Sequence, residues 1–141
     1  MAGNQGKYAE DAVRKWLKAK EEAELHFTFN RIMDAKSAMG RFGSQPGDFQ
    51  AFAPKRNWLI EIKSSEHAYR IPHGSFGIDQ VGRMVKRQLA GTECFVLFYS
   101  KTTKLWRTMD LEFFRQREGG SWDLRPYQEV KLQEALTEVF A

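Results

Sequence analysis

"PGDFQAFAPKRNWLIEIKSS", residues Pro46–Ser65, sets the charged triplet Glu61-Ile62-Lys63 at the end of an apolar run, with an isolated acid, Asp48, upstream. Phe49–Ala53 and Trp58–Ser64 read as two short strands flanking a turn-like tetrapeptide, Pro54-Lys55-Arg56-Asn57, so the stretch predicts a hairpin. Successive strand residues face opposite sides of a sheet. Glu61 and Lys63 therefore share one face, while Ile60 and Ile62 take the other together with Phe49, Ala51, Ala53 and Trp58. A hairpin turning symmetrically at Lys55-Arg56 sets Asp48 opposite Lys63 and diagonal to Glu61, with Cβ atoms roughly 5 and 7 Å apart. A slip of one residue would send Asp48 to the wrong face. Two carboxylates beside an ammonium make an oxygen-rich pocket suited to Mg2+, a hard ion that prefers a couple of carboxylates plus water and phosphate oxygens. Such an ion lowers the pKa of a bound water and neutralises phosphodiester charge, while Lys63 can orient the nucleophile or stabilise the transition state. The pattern points to hydrolytic phosphodiester chemistry. A Glu-x-Lys triplet alone is equally a surface salt-bridge patch; the Gly-Asp ahead of the hairpin and the shared polar face favour a site.

Outward from the hairpin, Gly6–Lys20 reads as an amphipathic helix with Ala9, Val13, Trp16, Leu17 and Lys20 on one stripe. Leu25–Asn30 alternates as a strand. Arg31–Gly47 has neither period, is rich in glycine and cations, and is longer than most loops, which favours a functional or mobile loop. Downstream, Ile78, Val81, Val85 and Leu89 mark a second helix ended by Gly91. Glu93–Ser100 is a continuous apolar strand of the kind buried on both faces, and Lys104–Met109 is a further strand. Asp110–Arg117 predicts a short helix capped by Asp110, and Lys131–Phe140 a terminal one. The order α-β-β-β-α-β-β-α, without internal repeats, implies an α/β fold: a mixed sheet flanked by helices.

At 141 residues the chain suits one domain, residues 1–141, with its own core. No apolar run nears the ~18 residues of a membrane span, and Met1–Trp16 carries no apolar export region, so the expected compartment is the cytoplasm. Cys94 sits in an apolar run as a buried small hydrophobe, and three scattered histidines form no zinc-type cluster. Lys and Arg total 22 against 18 Asp and Glu, a net charge of +4 that is compatible with a polyanionic partner and decides little alone. The cations are grouped: Arg31, Lys36 and Arg41 in the glycine-rich loop, Arg83, Lys86 and Arg87 on the second helix.

Pro46-Gly47-Asp48 followed by Glu61-Ile62-Lys63 resembles the PD-(D/E)xK nucleases, with one glycine interposed between the Pro and the Asp. Within that superfamily the chain is most similar to the small Holliday-junction resolvases of the archaeal and RecU types. The likeness runs from about Gly6 to Ser100 and rests on Gly6-Lys7-Tyr8-Ala9-Glu10, Arg41-Phe42-Gly43-Ser44 and Ile78-Asp79-Gln80-Val81 beside the hairpin; the inserted stalk of the RecU type is too long to fit between Asn30 and Gly47. The resemblance implies a restriction-endonuclease-like fold and Mg2+, with Mn2+ able to substitute, held by Glu10, Asp48 and Glu61. Lys63 then assists attack by water, and Gln80 lies near the metal.

Helical geometry chooses Glu10 over Asp11 as the third acid, since Glu10 lies about 80° from the centre of the packed stripe while Asp11 points to solvent. Glu10 is also what a helix N-terminus favours in any case. Arg31, Lys36, Arg41 and Ser44 suit phosphates along a DNA backbone, and equally a solubilising loop. Arg83 and Arg87, with Gln80, form a polar stripe that also fits a solvated helix face; His67, Arg70 and His73 follow Lys63 closely enough for one of them to touch a scissile phosphate, with Arg70 the candidate and the two histidines reading as ordinary loop residues. The four tryptophans and most phenylalanines fall at core spacing. The expected activity is a Mg2+-dependent endonuclease on four-way or otherwise branched DNA, a homodimer because symmetric nicking needs two sites about a two-fold axis. The alternatives are another nuclease of the same superfamily, restriction- or repair-type, and a catalytically silent nucleic-acid-binding domain.

Overall fold

Helix α1 (Ala2–Ala23) buries Ala9, Val13 and Leu17 at helical spacing, and these residues form one side of a core completed by sheet residues Phe49, Ala51, Trp58, Ile60, Ile62, Leu97 and Tyr99. The computed structural model describes residues 2–32 and 47–141. After α1 come β1 (Thr28–Arg31), β2 (Phe49–Ala53), β3 (Arg56–Ser65), β4 (Arg70–Pro72), a 3-10 turn at His73–Ser75, α2 (Ile78–Leu89), β5 (Glu93–Ser100), β6 (Trp106–Asp110), a 3-10 helix Leu111–Arg115, β7 (Ser121–Asp123) and α3 (Leu132–Val139). Five strands form a mixed sheet in the order β1-β2-β3-β5-β6, and β4 pairs with β7 in a separate two-stranded ribbon. β3 and β5 are parallel, so a crossover must join them, and β4, the 3-10 turn and α2 supply it.

The sheet is buried on both faces. On one lie α1 and α3, which contributes Ala135, Leu136 and Val139. On the other, Leu59, Val96, Phe98 and Met109 meet Val81 and Met84 of α2, Phe76, Phe114 and the ribbon residues Ile71 and Trp122. The core stretches of the central pair, Trp58–Ile62 of β3 and Cys94–Tyr99 of β5, are therefore apolar apart from Glu61, as both-face burial requires. Lys20 keeps its place in the α1 stripe by laying its ammonium 5.0 and 5.1 Å from the Phe27 and Phe140 rings.

Several expectations shift. The first strand begins at Thr28 rather than Leu25, because Leu25, 91% exposed, belongs to the turn that follows α1. Arg31 closes β1 and is not a loop residue. The hairpin turn is Pro54-Lys55 alone: Ala53 pairs with Arg56, and Lys55 takes φ 63°. Proline followed by a positive φ is the type II pattern. Arg56, expected in the turn, is drawn into β3 by two bonds to Glu93 at 2.7 and 2.8 Å and by stacking 4.8 Å over Trp58. On α2 the buried residues are Val81 and Met84, whereas Ile78 and Leu89, its first and last residues, are 71% and 84% exposed. The helix after β6 is 3-10, with Asp110 accepting from the Phe113 N–H at 3.1 Å as its cap. β4 and β7, three residues each, have no counterpart in the sequence-based expectation. Two-sided burial of β3 predicts that Leu59→Ala costs about 3 kcal/mol in chemical denaturation, while Leu89→Ala stays within about 0.5 kcal/mol of the parent.

Candidate active site

The site forms where β2 stops and β3 continues. Phe49 pairs with Ile60 as the last rung between them, yet β3 runs on to Ser65. Asp48 occupies the end of the missing rung. Its N–H donates to the Ile60 carbonyl at 2.8 Å, its carbonyl accepts from the Ile32 N–H at 2.8 Å, and its Oδ2 accepts from the Ile62 N–H at 2.7 Å. The carboxylate thus stands in for a strand carbonyl and is fixed by the sheet itself.

This register corrects the expected one. With the turn at Pro54-Lys55, Asp48 falls beside Glu61 rather than opposite Lys63, a shift of two residues. An even shift leaves every side chain on its expected face, which is why Asp48, Glu61 and Lys63 still meet on one side. The approach is close. A Cβ added to Gly47 would lie 2.9 Å from Leu59 Cδ1 and 3.2 Å from the Ile60 carbonyl oxygen, so the glycine between Pro46 and Asp48 is what lets the chain reach β3.

Glu61 is 4% exposed, a buried carboxylate in the middle of the sheet. Its Oε2 lies 2.9 Å from Lys63 Nζ, and its Oε1 has no hydrogen-bond partner. Lys63 is held on its other side as well: Nζ donates to the Ser75 carbonyl at 2.7 Å and sits 4.7 Å from the Phe76 ring centre. Glu10, from α1, completes the group. When protonated it donates to Asp48, and Asp48, when it carries the proton itself, donates to Glu61. Arg31 Nη2 lies 3.1 Å from Glu10 Oε2.

Burial dominates the electrostatics, and crowding of the acids adds to it. Burial, followed by the hydrogen bond and charge of Asp48, pushes Glu10 up to about 7 against the pull of Arg31. Burial and then the Glu61 charge push Asp48 to about 7, although the Ile62 N–H favours its ionised form. Three carboxylates in line, one with an unpartnered buried oxygen, are an all-oxygen donor set of the chemistry that suits a hard divalent cation. Among the described residues no three acidic, His or Cys groups already close round one point as a finished cage. The acids touch pairwise, and Glu10 also faces Arg31.

The other sequence-predicted residues distribute differently. Gln80 is half-buried on the first turn of α2 and makes no hydrogen bond to the acids among the described residues. Arg83 and Arg87 are exposed on α2 and line an open groove with Asp79 and Lys86. Arg70 stands on β4 near Ser121 and Asp123, at 3.4 and 4.0 Å. Lys36, Arg41 and Ser44 lie outside the described residues. The sequence reading did not foresee the Ser75 carbonyl as a Lys63 partner, since no local pattern announces a contact across that connection. The requirement for Gly47 had a visible sign in the extra glycine itself.

The fold is similar to that of a Holliday junction resolvase from the archaeal hyperthermophile Archaeoglobus fulgidus, with a TM-score of 0.60 and 18% sequence identity over 95% of this chain and 99% of that chain. No protein-family model and no curated protein matches the sequence. The likeness is one of fold: an α/β mixed five-stranded sheet with helices on both faces.

Gly47→Ala forces Leu59 or the β3 backbone to move and lowers stability by about 1–3 kcal/mol in denaturant titration. Raised carboxyl pKa values mean that the fold binds more protons than the unfolded chain between about 4 and about 7, so in metal-free buffer Tm falls as pH rises through that window and levels off above it. Asp48→Asn keeps an acceptor for Ile62 without the charge and raises Tm at pH 8 in the same buffer; a lower Tm would contradict the account.

Proposed function

We propose that this chain is a single-domain, metal-dependent endodeoxyribonuclease that nicks branched DNA, a Holliday-junction resolvase. The observation that carries the proposal is the line of three carboxylates, Glu10, Asp48 and Glu61, with Lys63 Nζ 2.9 Å from the last. A module that only binds DNA has no use for buried acids facing a phosphate, because they repel it. Sharing a fold with an archaeal Holliday junction resolvase supports the same direction.

Asp48 and Glu61, with Glu10, would hold Mg2+ or Mn2+, which when bound supplies charge neutralisation at the phosphodiester and a more acidic water. The protein's own contribution is placement. The sheet fixes Asp48 through the Ile62 N–H, Ser75 and Glu61 restrain the Lys63 ammonium at the rim, and the two apolar cores prevent the acids from spreading apart. Lys63 is proposed to orient the attacking water or to stabilise the pentacoordinate phosphate. Gln80 is proposed to reach the same pocket once DNA is bound.

Phosphate contacts are assigned to Arg31, Arg70, Arg83 and Arg87, together with Lys36, Arg41 and Ser44 of the basic loop. A homodimer places two such sites on one junction, and the cytoplasm of a bacterial, archaeal or phage-infected cell is the proposed setting. Among the described residues no helix is long and apolar enough to cross a membrane.

The test is cleavage by purified protein with Mg2+ of a synthetic four-way junction, a linear duplex and a single strand. Paired symmetric nicks are expected on the junction alone, with Asp48→Asn and Lys63→Ala each slowing them by about 100-fold or more. Equal cleavage of all three substrates would replace junction resolution by general nuclease activity, and DNA binding without cleavage would leave only a binding module.

A further inference from the structure

Arg117 lies outside every element, on the connection from the 3-10 helix to β7. Its guanidinium donates in two directions: Nη2 to the Phe76 carbonyl at 2.7 Å and Nη1 to the His73 carbonyl at 3.4 Å. Its carbon sits 5.0 Å over the ring of the buried Trp122, which itself lies 4.4 Å from the His73 ring and donates to the Gln116 carbonyl at 2.5 Å. The two carbonyls bracket Ser75, whose own carbonyl receives the Lys63 ammonium at 2.7 Å. The turn's other hydrogen bonds are the Ser75 hydroxyl to the Pro72 carbonyl at 2.7 Å, the His73 N–H to the Gly120 carbonyl at 3.0 Å and the Phe76 N–H to the His73 carbonyl at 3.3 Å. A planar fork that spans two carbonyls at fixed spacing is a task for arginine.

We propose that Arg117 is a positioning residue for Lys63: it clamps the His73–Phe76 backbone so that the Ser75 carbonyl stays aimed at the lysine ammonium. The inference rests on the function proposed above for its catalytic meaning, and on geometry alone for its structural one. Loss of the fork leaves the Phe76 carbonyl without its donor and the His73 carbonyl with the Phe76 N–H at 3.3 Å alone, loosens the turn and frees Lys63 to swing away from Glu61.

Arg117→Met keeps the apolar stem over Trp122 and removes both donors. Single-turnover cleavage of the four-way junction is expected to slow by about 10- to 100-fold, the effect of an ångström-scale misplacement of a reacting group, with the Kd for the junction unchanged. Independently of DNA, reductive methylation followed by mass spectrometry is expected to show Lys63 modified several-fold faster in the variant. Arg117→Lys, which retains the stem and the charge, is expected to fall between the two and serves if the methionine variant does not fold. Arg115→Met, which removes a neighbouring charge paired with Glu112 at 3.1 Å, is expected to change neither readout. Wild-type cleavage and wild-type Lys63 methylation in both Arg117 variants would overturn the proposal. If the wild type cuts no DNA, the proposed function fails, and the methylation rate alone decides whether Arg117 positions Lys63.

Discussion

The N–H of Ile62 is the constraint from which the site grows. β3 outlasts β2, and a buried strand N–H left without an acceptor costs about 1–3 kcal/mol. The Asp48 carboxylate answers that need at 2.7 Å, and in doing so it is carried to the edge of β3 beside Glu61. A structural requirement of the sheet and the chemical requirement for paired acids are met by the same side chain. Gly47 is the condition for both, because any side chain at that position would meet Leu59 and the Ile60 carbonyl.

The arrangement is held against its own electrostatics. Asp48 and Glu10 are both pushed to about 7 by burial and by neighbouring carboxylates, with Lys63 answering Glu61 and Arg31 answering Glu10. What keeps the acids together is the rest of the molecule: α1 packed through Ala9, Val13 and Leu17 on one face of the sheet, and α2, Phe76, Phe114 and Trp122 on the other. Between Trp58 and Lys63 the central strand is apolar on both sides except at Glu61 and Lys63. Strain of this kind, stored at one place and stabilised elsewhere, is typical of sites in which stability yields to chemistry.

Much of this was legible in the chain. Period two in Phe49–Ala53 and in Trp58–Ile62 sorts the faces of the hairpin correctly, and because the turn is misplaced by two residues rather than one, the sorting survives the error. The unbroken apolar run Glu93–Ser100 identifies the strand buried on both faces, and the stripe of α1 separates Glu10, which meets Asp48, from Asp11, which meets Arg14 at 3.9 Å. The illegible parts share a cause: they depend on contacts distant in sequence. Arg56 joins β3 because Glu93 lies next to it across the sheet, the three-residue strands β4 and β7 exist only as partners of each other, and the exposure of Ile78 and Leu89 follows from where α2 meets the layer beneath it. Arg31, read as a loop cation, is a strand residue facing Glu10 for the same reason.

The central claim is that Asp48 and Glu61 together make a seat for a divalent ion. Anomalous diffraction at the manganese edge from crystals soaked in Mn2+ tests it directly. The account predicts a peak in contact with both carboxylates; crystals that bind Mn2+ elsewhere, or leave those two side chains joined only to each other, would contradict it.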